Sequence, residues 1–204
     1  MLRTQLRHAL VMTLVLCLLT GFVYPAVVTG FAQTLFPRQA GGSLVSVGGR
    51  VVGSALIGQT FTKPYYFHSR PSAAGAGYDA TASSGTNKGP TDRKLADTLV
   101  ANAIDSAVAV DHAVKGEIPG DMVTSSASGL DPDISPANAQ LQIARVAAAR
   151  DVDPAVIQSL VAAHTTGRQF GFFGEPRVNV LLLNIALDSV ARPHVSPASV
   201  GADK

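Results

Sequence analysis

From Ala9 to Pro37 the chain carries no charged residue, and the stretch Ala9 to Val28 holds eleven Leu, Val and Phe residues. A membrane span needs roughly 20 mostly apolar residues, so the pattern predicts one transmembrane helix over residues 9–31. At about −0.3 to −0.6 kcal/mol each, those eleven side chains contribute roughly −3 to −7 kcal/mol toward insertion. Pro25 should kink or end this helix in its last turns, with Tyr24 and Phe31 at the outer interface. After the Gly41-Gly42 break the period changes. Leu44–Val47, then Gly48-Gly49, then Arg50–Ile57 reads as a β-hairpin with a Gly-rich turn. Tyr65-Tyr66-Phe67 reads as a third short strand, and Pro71–Pro90 as a long surface loop.

The second half alternates helix and strand signals. Thr91 stands as N-cap of a helix whose apolar stripe runs through Leu95, Leu99, Ala103 and Ala107 and ends at Gly116. Met122-Val123-Thr124 is a candidate strand. Ser135-Pro136 opens a helix to about Arg150, and Asp153-Pro154 opens another through His164. Val178–Leu181 reads as a strand followed by a helix through Asp188, although an all-helical reading of 178–190 stays open. The predicted fold is α/β (α+β). Its parts are an N-terminal segment 1–8 read as cytoplasmic, a transmembrane helix 9–31, a linker 32–43, an extracytoplasmic α/β domain 44–190 and a disordered tail 191–204.

Charge gives this layout a direction. All fourteen acids lie at or after Asp79, while Arg3, Arg7 and His8 precede the apolar run. The positive-inside rule then places the N-terminus in the cytoplasm and the domain on the outer face of the membrane. A cleavable signal ending at Gly30-Phe31-Ala32 competes, but the run is longer than a signal core. A lipoprotein signal at Leu14–Cys17 has a large Leu where a small residue is needed. The bases are dispersed, which argues against nucleic acid as a partner. With Cys17 alone, disulfides and Cys-based zinc sites are excluded.

Candidate chemistry is sparse. There is no phosphate-loop motif, no H-E-x-x-H and no G-x-S-x-G. His8, His68, His112, His164 and His194 do not pair at ligand spacing, and Asp131 and Asp133 read as loop-shaping residues. Two stretches are dense in small polar residues, Ser83-Ser84-Gly85-Thr86-Asn87 and Thr124 to Gly129. Ser83, Ser84, Gly85 and Asn87, with Ser125, Ser126 and Ser128, are candidate residues for an anion or nucleotide nest. Plain turn chemistry is the competing account. On the anchor, Thr13, Cys17, Thr20 and Gly21 form a small-residue face of the kind that packs helices in lipid.

Five ordered motifs go further. They are Gly53–Gln59 (GSALIGQ) leading to Phe61; Tyr66–Ala73 (YFHSRPSA); Val123–Ile134 (VTSSASGLDPDI) with Ser135-Pro136; Arg145-Val146-Ala147 before Ala149-Arg150; and Gly174–Leu181 (GEPRVNVL) ending in Leu183–Asp188. In order and spacing the chain resembles the KdpC family, the C subunits of the bacterial Kdp potassium-transporting ATPase. The resemblance implies a complex of a potassium-carrying channel-like subunit, a P-type ATPase subunit, a small single-helix subunit and this one. It implies an accessory role, with no tightly bound cofactor and ATP at most in a transient complex. One view of the family is a catalytic chaperone raising the ATP affinity of the ATPase subunit. The other is a cover over the outer mouth of the potassium-carrying subunit. Without the resemblance, an anchored extracytoplasmic hydrolase or a small-anion-binding module would be the alternatives.

Overall fold

The computed structural model describes residues 1–190; the predicted tail 191–204 lies outside them. The chain divides into two compact units, Met1–Ser54 and Ala55 onward. The first begins with one helix, α1 (Leu2–Leu35), of 34 residues. At 1.5 Å per residue that is about 50 Å, more than a hydrocarbon core of about 30 Å requires. Pro25 neither ends nor breaks it. The turn Leu19–Val23 just before Pro25 is π-wound and the helix then continues to Leu35. A widened turn removes the clash between the pyrrolidine ring and the carbonyl one turn back. Among the described residues no part of the apolar window is buried. Strands β1 (Leu44–Val47) and β2 (Arg50–Ser54) pair antiparallel, with Val47 opposite Arg50. Gly48 and Gly49 have φ of +59° and +82°, the left-handed pair that a two-residue hairpin turn demands.

The second unit wraps three helices and a small sheet around one core. The helices are α4 (Pro136–Arg150), α5 (Pro154–Ala163) and α6 (Val180–Val190). The sheet has the order β3-β5-β4, all antiparallel, with β3 Asp133–Ile134, β4 Thr165–Thr166 and β5 Arg177–Asn179. Ile134, Ile143, Val146, Ile157, Val161, Val178, Leu183 and Leu187 fill the space between them. Helix α2 (Ala101–Asp111), led in by the π-wound turn Leu95–Val100, rests on α4 at one side. Its predicted stripe is only partly used: Ala107 is buried, while Leu99 remains exposed.

The capping signals do the expected work. The Ser135 hydroxyl accepts from Asn138 N at 3.1 Å, and Asp153 accepts from Ala155 N at 2.8 Å. Asn179 turns strand into helix, accepting from Leu182 N at 3.1 Å while its Nδ2 donates to the Ala55 carbonyl at 2.9 Å. The order strand-then-helix over 177–190 therefore holds.

Four local expectations are corrected. The cap of the helix after the long loop is Asp92, not Thr91, through a 3.2 Å bond from Leu95 N. That helix ends at His112, which adopts left-handed φ of 55°, before Gly116 is reached. Met122-Val123-Thr124 is not a strand. Gly120–Val123 forms one helical turn, α3, because the Asp121 carboxylate is pulled onto Ser135 N, Ser135 Oγ and Asn138 Nδ2 at 2.7, 2.8 and 3.0 Å.

Tyr65-Tyr66-Phe67 is not a strand either. Its backbone crosses the core beside no other strand, and side chains take the place of a ladder. Asn184 accepts from Phe67 N at 2.9 Å and donates to Phe67 O at 3.0 Å. Gln142 does the same for His68, at 2.7 and 3.1 Å. Arg145 donates to Pro64 O and Tyr66 O, and Arg150 to Tyr65 O. Phe67 itself is wholly buried. Replacing Asn184 with Ala strands two buried backbone groups, each costing about 1–3 kcal/mol. We expect Asn184→Ala to lower unfolding stability by roughly 2–4 kcal/mol, read as a fall in the urea midpoint of the full chain in detergent. A midpoint equal to the parent's would show that the clamp is dispensable.

Candidate functional site

The two serine-rich loops, 45 residues apart in sequence at Ser83 and Ser128, meet in space. Ser84 N and the Ser83 hydroxyl both donate to Ser128 O at 3.0 Å. The approach is close enough to require glycine on both sides. A Cβ on Gly85 would stand 2.8 Å from Ala127 O, and one on Gly129, at φ +67°, would stand 2.6 Å from Ser84 O. Most hydroxyls of the cluster are engaged with backbone. Ser84 Oγ donates to Gly85 O, Ser126 Oγ accepts from Gly129 N, and Ser128 Oγ accepts from Leu130 N. Ser72 adds a hub: its Oγ donates to Gly129 O at 2.6 Å and accepts from Ala74 N and Tyr78 N. Ser125 lies half-buried within the second loop, and Asn87 is exposed at the end of the first with φ of 53°. What the arrangement does chemically is lock two long loops to one another.

Beside this seam opens a cleft of about 310 Å³ lined by Arg70, Asp121, Asp131, Asp133, Glu175 and Arg177, among others. Each carboxylate has a partner. Arg70 Nη1 meets Asp131 at 2.8 Å, Arg177 Nε meets Asp133 at 3.0 Å, and Arg168 meets Glu175 at 2.6 Å. Asp121 is held by the three donors already named. Arg70 also donates to Thr124 O at 3.2 Å, so the guanidinium ties the YFHSRPSA segment to the second serine-rich loop. Burial raises the Asp133 carboxyl above its ordinary value, Arg177 counters this and Asp131 adds to it. Among the described residues no group of His, Cys, Asp or Glu converges as a metal site.

A second charged cluster lies deeper. Arg145 and Asp111 pair at 2.7 Å with both side chains almost fully buried. Arg150, wholly buried, reaches Asp188 at 2.8 Å and stacks over Tyr66, its carbon 5.2 Å from the ring centre. The Tyr66 hydroxyl donates to the same carboxylate at 2.9 Å, and burial with that bond pushes its pKa up to about 12. Burial also carries Tyr78 up to about 12. These residues were missed as a set by sequence reasoning. Asn138, Gln142 and Arg145 share a face of α4 with buried apolar residues, and polar groups on an otherwise apolar face are the signal that marks them. His112 and His164 close helices, and His68 Nε2 donates to Lys63 O at 3.1 Å. His194 lies outside the described residues. On α1, Thr13 and Cys17 are exposed, while Thr20 and Gly21 fall inside the π-wound turn, where Thr20 bonds back to Leu16 O at 2.7 Å.

One helix long and apolar enough to cross a membrane, followed by one mixed domain with several arginine–carboxylate pairs, defines a protein with a single spanning-length helix and an α/β domain. Residues 6–189 match the family model described as "KdpC: K+-transporting ATPase, c chain". A "Potassium-transporting ATPase KdpC subunit" of Gemmatimonas aurantiaca is 64% identical, over 96% of this chain and 98% of its own. Proteins of the same name from Koribacter versatilis and Caulobacter vibrioides are 52% and 54% identical, covering 91% and 95% of this chain and 95% and 97% of their own. The chain belongs to the KdpC family.

The buried cluster has a pH consequence. Burial, reinforced by the Arg145 guanidinium, lowers the His68 pKa below 6.5. As pH falls below 6.5 the unfolded chain takes up this proton before the folded one, so stability is full above that point and declines toward the lowered folded pKa. Between about pH 7.5 and about pH 5.5 the urea midpoint should therefore fall further for the parent than for His68→Gln. Equal slopes would mean that His68 does not titrate differently on folding.

Proposed function

We propose that this chain is the accessory, non-catalytic subunit of an ATP-driven potassium uptake pump. It is held by α1 with its N-terminus in the cytoplasm and its domain on the outer face. The observation that carries the reading is the end-to-end match: one family covers residues 6–189, anchor and domain alike. The relatives' shared name supplies the pump. Its partners are then the potassium-carrying subunit, the P-type ATPase subunit and the small single-helix subunit.

The architecture favours a role at the outer mouth of the potassium-carrying subunit. An outer domain is separated from a cytoplasmic nucleotide site by about 30 Å of hydrocarbon. Any rise in ATP affinity would then pass through the assembly, as a coupling of about 1–3 kcal/mol. On this reading the serine-rich seam and Arg70 hold a rigid docking face, and ATP is met by the partner. Potassium-stimulated ATPase activity of the complex purified with and without this chain tests the proposal. Activity and co-purification should both collapse without it; a complex that assembles and turns over normally would reject the accessory role.

The face of Thr13, Cys17, Thr20 and Gly21 is proposed to pack on the potassium-carrying subunit. A Cβ added at Gly21 meets nothing within 4 Å in this chain, so a larger residue there is felt only by a neighbour. Gly21→Leu should reduce recovery of the potassium-carrying subunit with this chain severalfold. Unchanged co-purification would place lipid, not protein, on that face.

A further inference from the structure

A short hairpin before β5 presents three exposed phenylalanines within four residues. Gln169 and Phe173 form an isolated antiparallel bridge, closed by bonds of 2.9 Å in both directions. Phe170 and Gly171 turn the chain with φ of 52° and 83°. Phe170, Phe172 and Phe173 are 88%, 65% and 57% exposed, and the last two rings stack at 4.2 Å. Left-handed backbone at a non-glycine residue costs on the order of 1–3 kcal/mol, yet here it holds a phenyl ring in water. Folding gains nothing from this. Three clustered exposed phenylalanines mark a surface that meets an apolar phase.

Which phase is indicated by size, charge and tether. Three rings offer at most about 150–250 Å² each. That is short of the roughly 800 Å² per partner of a stable protein interface, but enough for shallow insertion into lipid. The neck is electrically balanced, since Arg168 pairs with Glu175 at 2.6 Å, so no unpaired charge at the neck has to be drawn toward the hydrocarbon. The chain enters this unit at Ala55, whose carbonyl is bound by Asn179 at the end of β5. Phe173 stands six residues before Asn179 and so lies at most about 20 Å from that tethered point. For a domain on a short tether, the bilayer is the apolar phase at high effective concentration.

We propose that the hairpin of Phe170, Phe172 and Phe173 inserts into the leaflet on its own side of the membrane. It forms a second, reversible lipid contact in addition to the span. The inference rests on the reading of α1 as a membrane span, and its test separates the two. The chain contains no Trp, so Phe172→Trp introduces a single fluorophore, and Phe22→Trp does the same within α1. Each full-length variant is reconstituted alone into phosphatidylcholine–phosphatidylglycerol vesicles, with and without dibrominated phosphatidylcholine. Both emissions should be blue-shifted and quenched by the brominated lipid. Adding Phe170→Ser and Phe173→Ser to Phe172→Trp should abolish its quenching while leaving the Phe22→Trp signal intact. If Phe22→Trp is quenched and Phe172→Trp is not, the hairpin inference is overturned and the anchor stands. A blue shift of Phe172→Trp only after assembly with the other pump subunits would overturn it in favour of a protein pocket. If Phe22→Trp itself escapes quenching, the span reading fails and the hairpin proposal with it.

Discussion

The second unit depends on one constraint: the backbone around Phe67, from Tyr65 to His68, enters the core with no strand paired to it. Buried amides and carbonyls must be bonded or the fold loses on the order of 1–3 kcal/mol for each. A longer sheet would have met this need with a ladder. Here Asn184 of α6, with Gln142, Arg145 and Arg150 of α4, meets it with side chains. The segment thereby joins the two helices, and Phe67 can be wholly buried between them. The three-stranded sheet is left small because the chain that might have extended it is held by other means.

That solution brings its own electrostatics. Two guanidinia drawn into the interior need counter-charges, since an unpaired buried ion costs several kcal/mol. Asp111 and Asp188 provide them, one from α2 and one from the last turns of α6. Elements far apart in sequence are thus bound to the same clamp. The outer rim repeats the device with Arg70 and Asp131, which tie the clamped segment's continuation to the serine-rich seam. A domain built this way has its loops held in place by side chains rather than by a sheet.

The apolar anchor follows a different logic. Among the described residues nothing buries its apolar side chains, so its apolar face is left for its surroundings to cover. Pro25 is tolerated because a single π-wound turn absorbs the ring, and the span keeps its length.

Much of this was legible in the residues. The apolar run, the Gly48-Gly49 turn, the caps Ser135-Pro136 and Asp153-Pro154 and the five ordered motifs each depend on a few neighbouring residues, so the span, the hairpin, two helices and the family could be read directly. Asp92 in place of Thr91 was settled locally, by which of two neighbouring side chains reaches Leu95 N, whereas helix in place of strand at Met122 goes with contacts from Asp121 to Ser135 and Asn138, outside the local window. The clamp is likewise non-local: Tyr65-Tyr66-Phe67 has strand composition, but a strand needs a partner, and whether one stands beside it is a fact of tertiary packing. The meeting of Ser84 with Ser128 is of the same kind. By itself the sequence determined the periodic elements, the long apolar helix and the kinship, because period, capping and motif order act over short range. Only the tertiary structure decided which buried polar side chains hold the core and which loops meet, because those pairings join residues scores of positions apart and no local pattern encodes them.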